Sequence, residues 1–345
     1  MKILFKLYLL FFVINTTCYA SSFDVTKSKK ISKEFKTVKD VTVKVDNKYG
    51  SVSFELWDKN TVEYTVDVTV SSTSEKNCQE LLDNIQVLFT EGTTMVHAAT
   101  NFKSSLNYNK DLHIKYLVKI PKNAKVNVDQ KYGNITVPEL YNSLTLVCKY
   151  GSVFIGKLHH KTNDFKMDYV TSSKIENVNQ IHLEMKYSTL QIEKAEELDI
   201  IGNYNTLKLN TIGNLQAETK YTTLKVNEVK KVEISGNYLN IDLQKVIKSV
   251  VLNSNYSTLK LNVDRPTELI KYNGNYSNVY VNNLDLTAFE FEIKGNYSHF
   301  KPNMDLDYSL KSKENTSILY KGFNKKNPKL NLEINGNYTN TYFKK

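Results

Sequence analysis

The chain has 345 residues, 41% apolar and 24% charged, the balance of a folded protein and not of a disordered one. Its formal charge is +10, yet Arg265 is its single arginine. Arginine is the residue that reads phosphates and carboxylates bidentately, so this lysine excess argues against a nucleic-acid partner and describes a solvated, edge-protecting surface.

At the N-terminus Lys2 and Lys6 flank an apolar run at 7–14 that leads to Cys18-Tyr19-Ala20 and Ser21-Ser22. This reads as a signal peptide at 1–20, cleaved after Ala20. A second reading makes Cys18 a lipid-bearing residue, but Asn15-Thr16-Thr17 lacks the apolar residue wanted three positions before it. No later stretch reaches the roughly 18 apolar residues of a spanning helix. The expectation is an exported chain (periplasm, outer surface or extracellular space) with no transmembrane segment after cleavage.

Residues 21–123 are expected to form N-terminal strands with one short helix, capping the repeats of 124–345. Val41, Val43 and Val45, then Val52, Phe54 and Leu56, alternate on either side of Tyr49-Gly50-Ser51. Period-two alternation of this kind marks two half-buried strands. Val62 to Val70 alternates as a further strand. Ser72-Thr73-Ser74-Glu75 resembles a capping box, opening a helix to about Asn84 with Leu81, Leu82 and Ile85 as its apolar face. Residues 86–90 and 94–100 read as a hairpin around Glu91-Gly92, and 112–120 as a strand ended by Pro121.

From 124 to 345 one phrase recurs every 17 to 22 residues, centred on Tyr132, Tyr150, Tyr169, Tyr187, Tyr204, Tyr221, Tyr238, Tyr256, Tyr276, Tyr297 and Tyr338, with a decayed copy at Thr316. Tyr49 carries the same phrase 83 residues before Tyr132. In the 17-residue copies the apolar positions fall at Leu190, Ile192, Ala195, Leu198 and Ile200, then at Leu207, Leu209, Ile212 and Leu215. Spacings of two mark strands, and spacings of three mark corners. Helical periodicity never persists. The fold class is therefore all-β: a parallel β-solenoid of about twelve rungs, roughly 50 to 60 Å long at strand spacing. Extra residues of the longer rungs fall at 158–164 and 264–268, in the second corner.

Tyr204, Gly202, Ile200 and Leu198 share one parity, so the rings are expected to point to the apolar side as a structural ladder. Small residues two positions before the tyrosine, such as Gly202, Gly236 and Gly274, leave room for the ring to turn. Lys48, Lys131, Lys149, Lys186 and Lys220 precede the tyrosine in early rungs and asparagine in later ones, and Asn203, Asn237, Asn255, Asn275, Asn296 and Asn337 are expected to take the left-handed backbone of the corner. Exposure of the tyrosine column for stacking on sugars is the competing reading.

Catalytic chemistry has little to stand on. An enzyme built on such a rod needs acids gathered at one place, and here the carboxylates are scattered. Asp305 and Asp307 lack a partner that would tune one of them. His159 and His160 are adjacent, so on a strand they would face opposite ways. No phosphate loop, nucleophile elbow or metal-ligand motif occurs. No catalytic, cofactor-binding or metal residue is assigned, and no cofactor is implied. Cys78 and Cys148 follow no ligand spacing; Cys148 fits a buried slot, and a disulfide between them is open.

Asn47-Lys48-Tyr49-Gly50-Ser51-Val52 with Trp57, the helix near Cys78, Tyr116-Leu117-Val118-Lys119-Ile120-Pro121 and Lys131-Tyr132-Gly133-Asn134-Ile135 resemble an exported bacterial family. It is the putative-adhesin family of unknown function, with repeated Tyr-Gly-x-[Ile/Val] rungs, related to adhesin-head domains. Later rungs depart from it by replacing the glycine after tyrosine with Ser, Thr or Asn. The resemblance implies a parallel β-solenoid at the surface or in the periplasm and supplies no catalytic residue. The function expected is a non-enzymatic envelope or surface protein, an adhesin or scaffold presenting one solenoid face. A carbohydrate-binding or carbohydrate-processing solenoid is the alternative. The partner expected is a cell-envelope glycan or a surface protein. Edge-to-edge self-association is a further expectation, because the chain stops two residues after its last predicted strand.

Overall fold

Alternating valine, isoleucine and leucine bury one parity of a strand and leave the other wet. The computed structural model, which describes residues 25–105 and 111–345, is accordingly almost all strand, with a single α-helix at Glu75–Asn84. The signal-peptide reading of 1–20, with Cys18, lies outside the described residues. Among the described residues no helix is long and apolar enough to cross a membrane.

Successive repeats pair in parallel and in register. Leu190 lies beside Leu207, Leu207 beside Leu224 and Leu224 beside Ile241, so equivalent residues of neighbouring repeats form columns. All four are buried. Each such side chain contributes about 1.5–3 kcal/mol, and a one-residue slip would turn the whole set to water, which is what holds the register. Thr42–Trp57 joins this arrangement across the interruption, running parallel to Lys125–Leu140 on both sides of its tyrosine. The longer repeats break at 159–162 and 264–268, where extra length was expected.

The N-terminal end is closed by antiparallel pairing. Asp111–Pro121 runs parallel to the second half of Thr42–Trp57, then pairs antiparallel with Thr61–Ser72, which pairs with Val25–Lys36. The hairpin of Ile85–Thr90 and Met95–Phe102 extends the first half. The helix is capped by Ser74, not Ser72: its Oγ accepts the Asn77 N–H at 3.2 Å. Ser74 is the residue still in extended backbone, which is what a cap requires. Lys29 Nζ donates to Leu82 O and, at 2.6 Å, to Ile85 O, satisfying carbonyls at the helix end. Burial lowers the Lys29 pKa.

Cys78 and Cys148 are both free and both buried, so the open disulfide is not formed. Burial pushes the Cys148 thiol up to about 12. Because the thiolate is the nucleophile, Cys148 should not react with iodoacetamide at pH 8 until denaturant is added. Mass-spectrometric labelling of Cys148 in the native chain within minutes would contradict this packing.

At the C-terminal end the repeats do not stack in chain order. Leu330–Asn335 lies between Leu269–Asn273 and Phe289–Asn296, parallel to both. Asn340–Phe343 likewise lies between Asn278–Asn282 and His299–Pro302. The spatial order is therefore Tyr276, Tyr338, Tyr297. Thr316 is not a decayed repeat; it sits in the turn of an antiparallel hairpin, Asp307–Glu314 with Ser317–Phe323. That hairpin covers Phe289–Asn296, and Tyr297 N–H donates to Thr316 O at 2.8 Å. The expected free edge at the chain's last strand does not exist, because both its sides are paired. Asp307–Glu314, with Lys311 and Lys313, forms the outer strand of the hairpin, a charged edge that discourages pairing.

Candidate functional site: the tyrosine ladder and its groove

The ladder begins with a backbone anomaly. Tyr49 and all eleven later repeat tyrosines have φ between 50° and 65°, in the left-handed region. A bulky L-residue there costs about 1–2 kcal/mol. The asparagines expected to take this conformation do not; it falls one residue later. With the tyrosine in left-handed backbone, strand alternation is reset. In one repeat Gly202 is buried, Asn203 half-buried, Tyr204 exposed and Asn205 buried.

The rings consequently point out, contrary to the parity expectation. From Tyr132 to Tyr338 they keep 45% to 55% of their surface exposed. Stacking is set by the register. Centroids are 4.6 to 5.3 Å apart with interplanar angles of 1° to 13°, through Tyr49, Tyr132, Tyr150, Tyr169, Tyr187, Tyr204, Tyr221, Tyr238, Tyr256, Tyr276, Tyr338 and Tyr297. Eleven steps at strand spacing make a row of roughly 50 Å. Phe102 meets Tyr49 edge-on at 6.1 Å, and Lys48 Nζ lies 4.9 Å from the centre of that ring.

What overrides the strain is a set of bonds that only this corner makes. In six of the middle and later repeats the residue after the tyrosine is buried, small and polar: Ser188, Asn205, Thr222, Ser257, Ser277 and Thr339, each 5% exposed or less; after Tyr238 it is the buried Leu239. Ser188 Oγ accepts the Val170 N–H at 3.1 Å, and Asn205 Nδ2 donates to Met185 O at 3.0 Å. Ser257 Oγ accepts the Leu239 N–H at 3.0 Å. Unsatisfied buried backbone groups cost about 1–3 kcal/mol each, so satisfying one or two of them offsets the corner's strain. Asparagine side chains add a second ladder: Asn255 Nδ2 donates to Asn237 Oδ1 at 3.0 Å and Asn275 Nδ2 to Asn255 Oδ1 at 3.2 Å. The glycine slot admits the close backbone approach this needs. A Cβ on Gly202, whose φ is 155°, would lie 1.8 Å from Met185 O.

Beside the rings, on the side of the preceding strand, runs a groove of about 880 Å³ from Lys166 to Gly274. Gly202, Thr219, Gly236, Ser254 and Gly274 are among the residues that line it. Asn203, Asn237 and Asn255 with Lys186, Lys220 and Glu218 are among its lining. At one end of it, on adjacent strands, Lys166 Nζ meets Glu184 at 2.8 Å, and that bond holds the Glu184 carboxyl below its ordinary range. The stack also restricts the chemistry available. Neighbouring rings cover each other's faces, so what the ladder offers to a ligand is a row of ring edges and hydroxyls, not a set of sugar-stacking platforms.

Outside this surface, His182 Nδ1 lies 2.6 Å from Asp199 Oδ2 in a smaller groove of about 520 Å³. The His159 and His160 side chains part company. His159 stacks on Tyr141 at 4.5 Å and meets Glu139 at 2.9 Å, which lowers the Glu139 pKa, while His160 bonds locally to Thr162. Among the described residues no group of three or more His, Cys, Asp or Glu is placed to hold a metal ion.

No family model matches the chain, and no curated protein does. Among solved structures it is similar to a putative cell adhesion protein from Clostridium sporogenes, at 12% identity and TM-score 0.19, covering 92% of this chain and 99% of that one. A putative adhesin from Bacteroides fragilis matches at 10% identity and TM-score 0.28, covering 92% and 97%. A putative adhesin from Parabacteroides distasonis matches at 15% identity and TM-score 0.25, covering 74% and 90%. At these TM-scores, function has to be reasoned from this chain's own surface.

Proposed function

We propose that the chain is a non-enzymatic exported protein of the cell envelope or surface, an adhesin or scaffold in which 124–345 form a β-solenoid and 21–123 cap it. The working surface is the tyrosine ladder with its adjoining groove. One observation carries this reading: twelve repeat tyrosines hold left-handed backbone in one continuous stack, and from Tyr132 onward each keeps about half its ring outside. Tyrosine is the side chain that gives large, rigid contact area with a hydroxyl for hydrogen bonding, which is why it is enriched in recognition surfaces.

Cell fractionation with protease shaving of intact cells tests the location; a chain found in the cytoplasm, or one that degrades a polysaccharide when purified, would sink the proposal. The hydroxyl row is tested separately. Tyr221→Phe with Tyr238→Phe should change stability by less than about 0.5 kcal/mol, since the rings and their stacking remain. Attachment of the purified chain to its surface should nevertheless weaken.

The polar lining of the groove favours a second reading, binding of a linear glycan along the ladder. Asparagine amides at strand spacing can bond sugar hydroxyls at successive units. On a glycan array Asn237→Ala with Asn255→Ala should lose binding that wild type shows. Absence of any glycan binding by wild type leaves the protein-partner form of the adhesin.

A further inference from the structure

The last repeat in the sequence fills a slot whose two walls are made by earlier residues. Leu269–Asn273 and Asn278–Asn282 form one wall, and Phe289–Asn296 and His299–Pro302 the other. The filler is held on both sides by the chemistry of the repeat. Tyr338 stacks on Tyr276 at 4.7 Å and on Tyr297 at 4.9 Å. Asn337 N–H donates to Asn275 Oδ1 at 3.0 Å, and Thr339 Oγ1 donates to Gly274 O at 3.0 Å. None of these contacts specifies which copy of the chain supplies the filler.

Only the connector specifies it. Residues 324–329 join Ser317–Phe323 to Leu330, and 325–329 are exposed. Its two ends are pinned: Asn324 N–H donates to Phe289 O at 3.1 Å and Lys329 N–H to Ala288 O at 2.8 Å. Between them Asn327 has a φ of 58° and is followed by Pro328. A proline pushes the residue before it toward extended backbone, so the closed connection holds its hinge in a conformation that an open one would release.

We propose that residues 330–343 are an exchangeable element: they insert into the equivalent slot of a second copy of this chain, giving a reciprocal pair hinged at 325–329. A second copy is the partner because the slot asks for several features together. It needs asparagine before a left-handed tyrosine, threonine after it, and no Cβ at the position of Gly336, where one would lie 1.8 Å from Gly274 O. Exchange makes in each partner the contacts already made within one chain. What it requires is the release of 330–343 together with the wall at 289–302 that this segment ties to the stack, and the entropy of association, and it gains relief at the hinge. This differs from edge pairing, since no unpaired edge of 330–343 takes part. It joins two molecules through the repeats at 269–343 with the contacts each already makes.

Tyr280 and Tyr342 are opposed on neighbouring parallel strands, with rings 4.6 Å apart. Cα atoms one strand apart are within disulfide reach. Full-length Tyr280→Cys and full-length Tyr342→Cys are mixed at high concentration, carried through mild denaturant and back, and oxidised. Exchange predicts a mixed disulfide at least about tenfold above that of Tyr342→Cys treated alone. Asn327→Gly, which removes the hinge strain, should lower that yield severalfold. The Tyr280→Cys/Tyr342→Cys double variant, diluted, reports whether the geometry closes within one chain. A double variant that closes while the mixture stays at the level of Tyr342→Cys alone overturns the proposal. So does a wild-type chain that remains strictly monomeric by light scattering after the same treatment, whatever the cysteines do.

Discussion

A chain ending at Asn324 is expected to lose hydrogen-exchange protection throughout 289–323, by about hundredfold or more, while 173–255 keep theirs. Were the repeats stacked in chain order, removing the last one would strip an outer layer only. In the structure, Phe289–Asn296 and His299–Pro302 reach the rest of the stack through Leu330–Asn335 and Asn340–Phe343. The aromatic cluster there turns on Phe343, which packs against Phe300 at 4.9 Å, Phe289 at 5.7 Å and Phe291 at 5.9 Å. Phe343→Ala should by itself cost about 3–5 kcal/mol, because the side chain is fully buried and its neighbours are too large to collapse into the space. Unchanged protection at 289–302 in the shortened chain would mean that this end does not depend on the inserted repeat.

At Tyr221 the usual order of alanine and glycine should invert. The ring stacks on Tyr204 at 4.7 Å and on Tyr238 at 4.6 Å, and φ is 52°. Alanine removes two stacking contacts of about 0.5–1.5 kcal/mol each together with half-buried ring area, so a loss of about 2–3 kcal/mol is expected. Glycine loses the same contacts. It also sheds the left-handed penalty of about 1–2 kcal/mol, against an extra chain-entropy cost of about 0.5–1 kcal/mol. Tyr221→Gly should therefore be more stable than Tyr221→Ala by about 0.5–1 kcal/mol. At neighbouring Leu224, in ordinary strand backbone, glycine should be the worse of the two. Denaturant midpoints for the four variants decide it. Alanine above glycine at 221 would remove the backbone account of the ladder.

The corner was half legible. In one repeat Leu198, Ile200, Gly202 and Tyr204 keep even parity, and Leu207 and Leu209 keep odd parity. A phase change must fall between them, and the spacing shows it. Which residue carries it is not a matter of spacing. Parity counted from the preceding strand turns Tyr204 inward; counted from the following strand it turns Asn205 inward. The buried residue is Asn205. A usable signal was the run of Ser, Asn and Thr after the tyrosine, since small hydrogen-bonding side chains suit a buried corner where backbone groups need partners. The helix cap was misplaced for a similar reason. Both Ser72 and Ser74 fit a cap by type, and only the point where the backbone leaves the strand separates them.

By itself the sequence determined the class of elements, the length of the repeat, which apolar residues lie inside and that equivalent residues stack. All of these come from period-two burial and from a unit too small to cover its own apolar face. Two things were left to the tertiary structure. The outward turn of the tyrosines depends on the sign of one backbone angle, which is strained in an isolated repeat and becomes favourable only when neighbouring repeats supply its hydrogen bonds and ring contacts. The order of the last repeats depends on which slot the final one fills. Because the repeats resemble each other, their local sequences fit more than one neighbour, and the antiparallel hairpin that covers the strand 289–296 leaves the inner slot for residues 330–343.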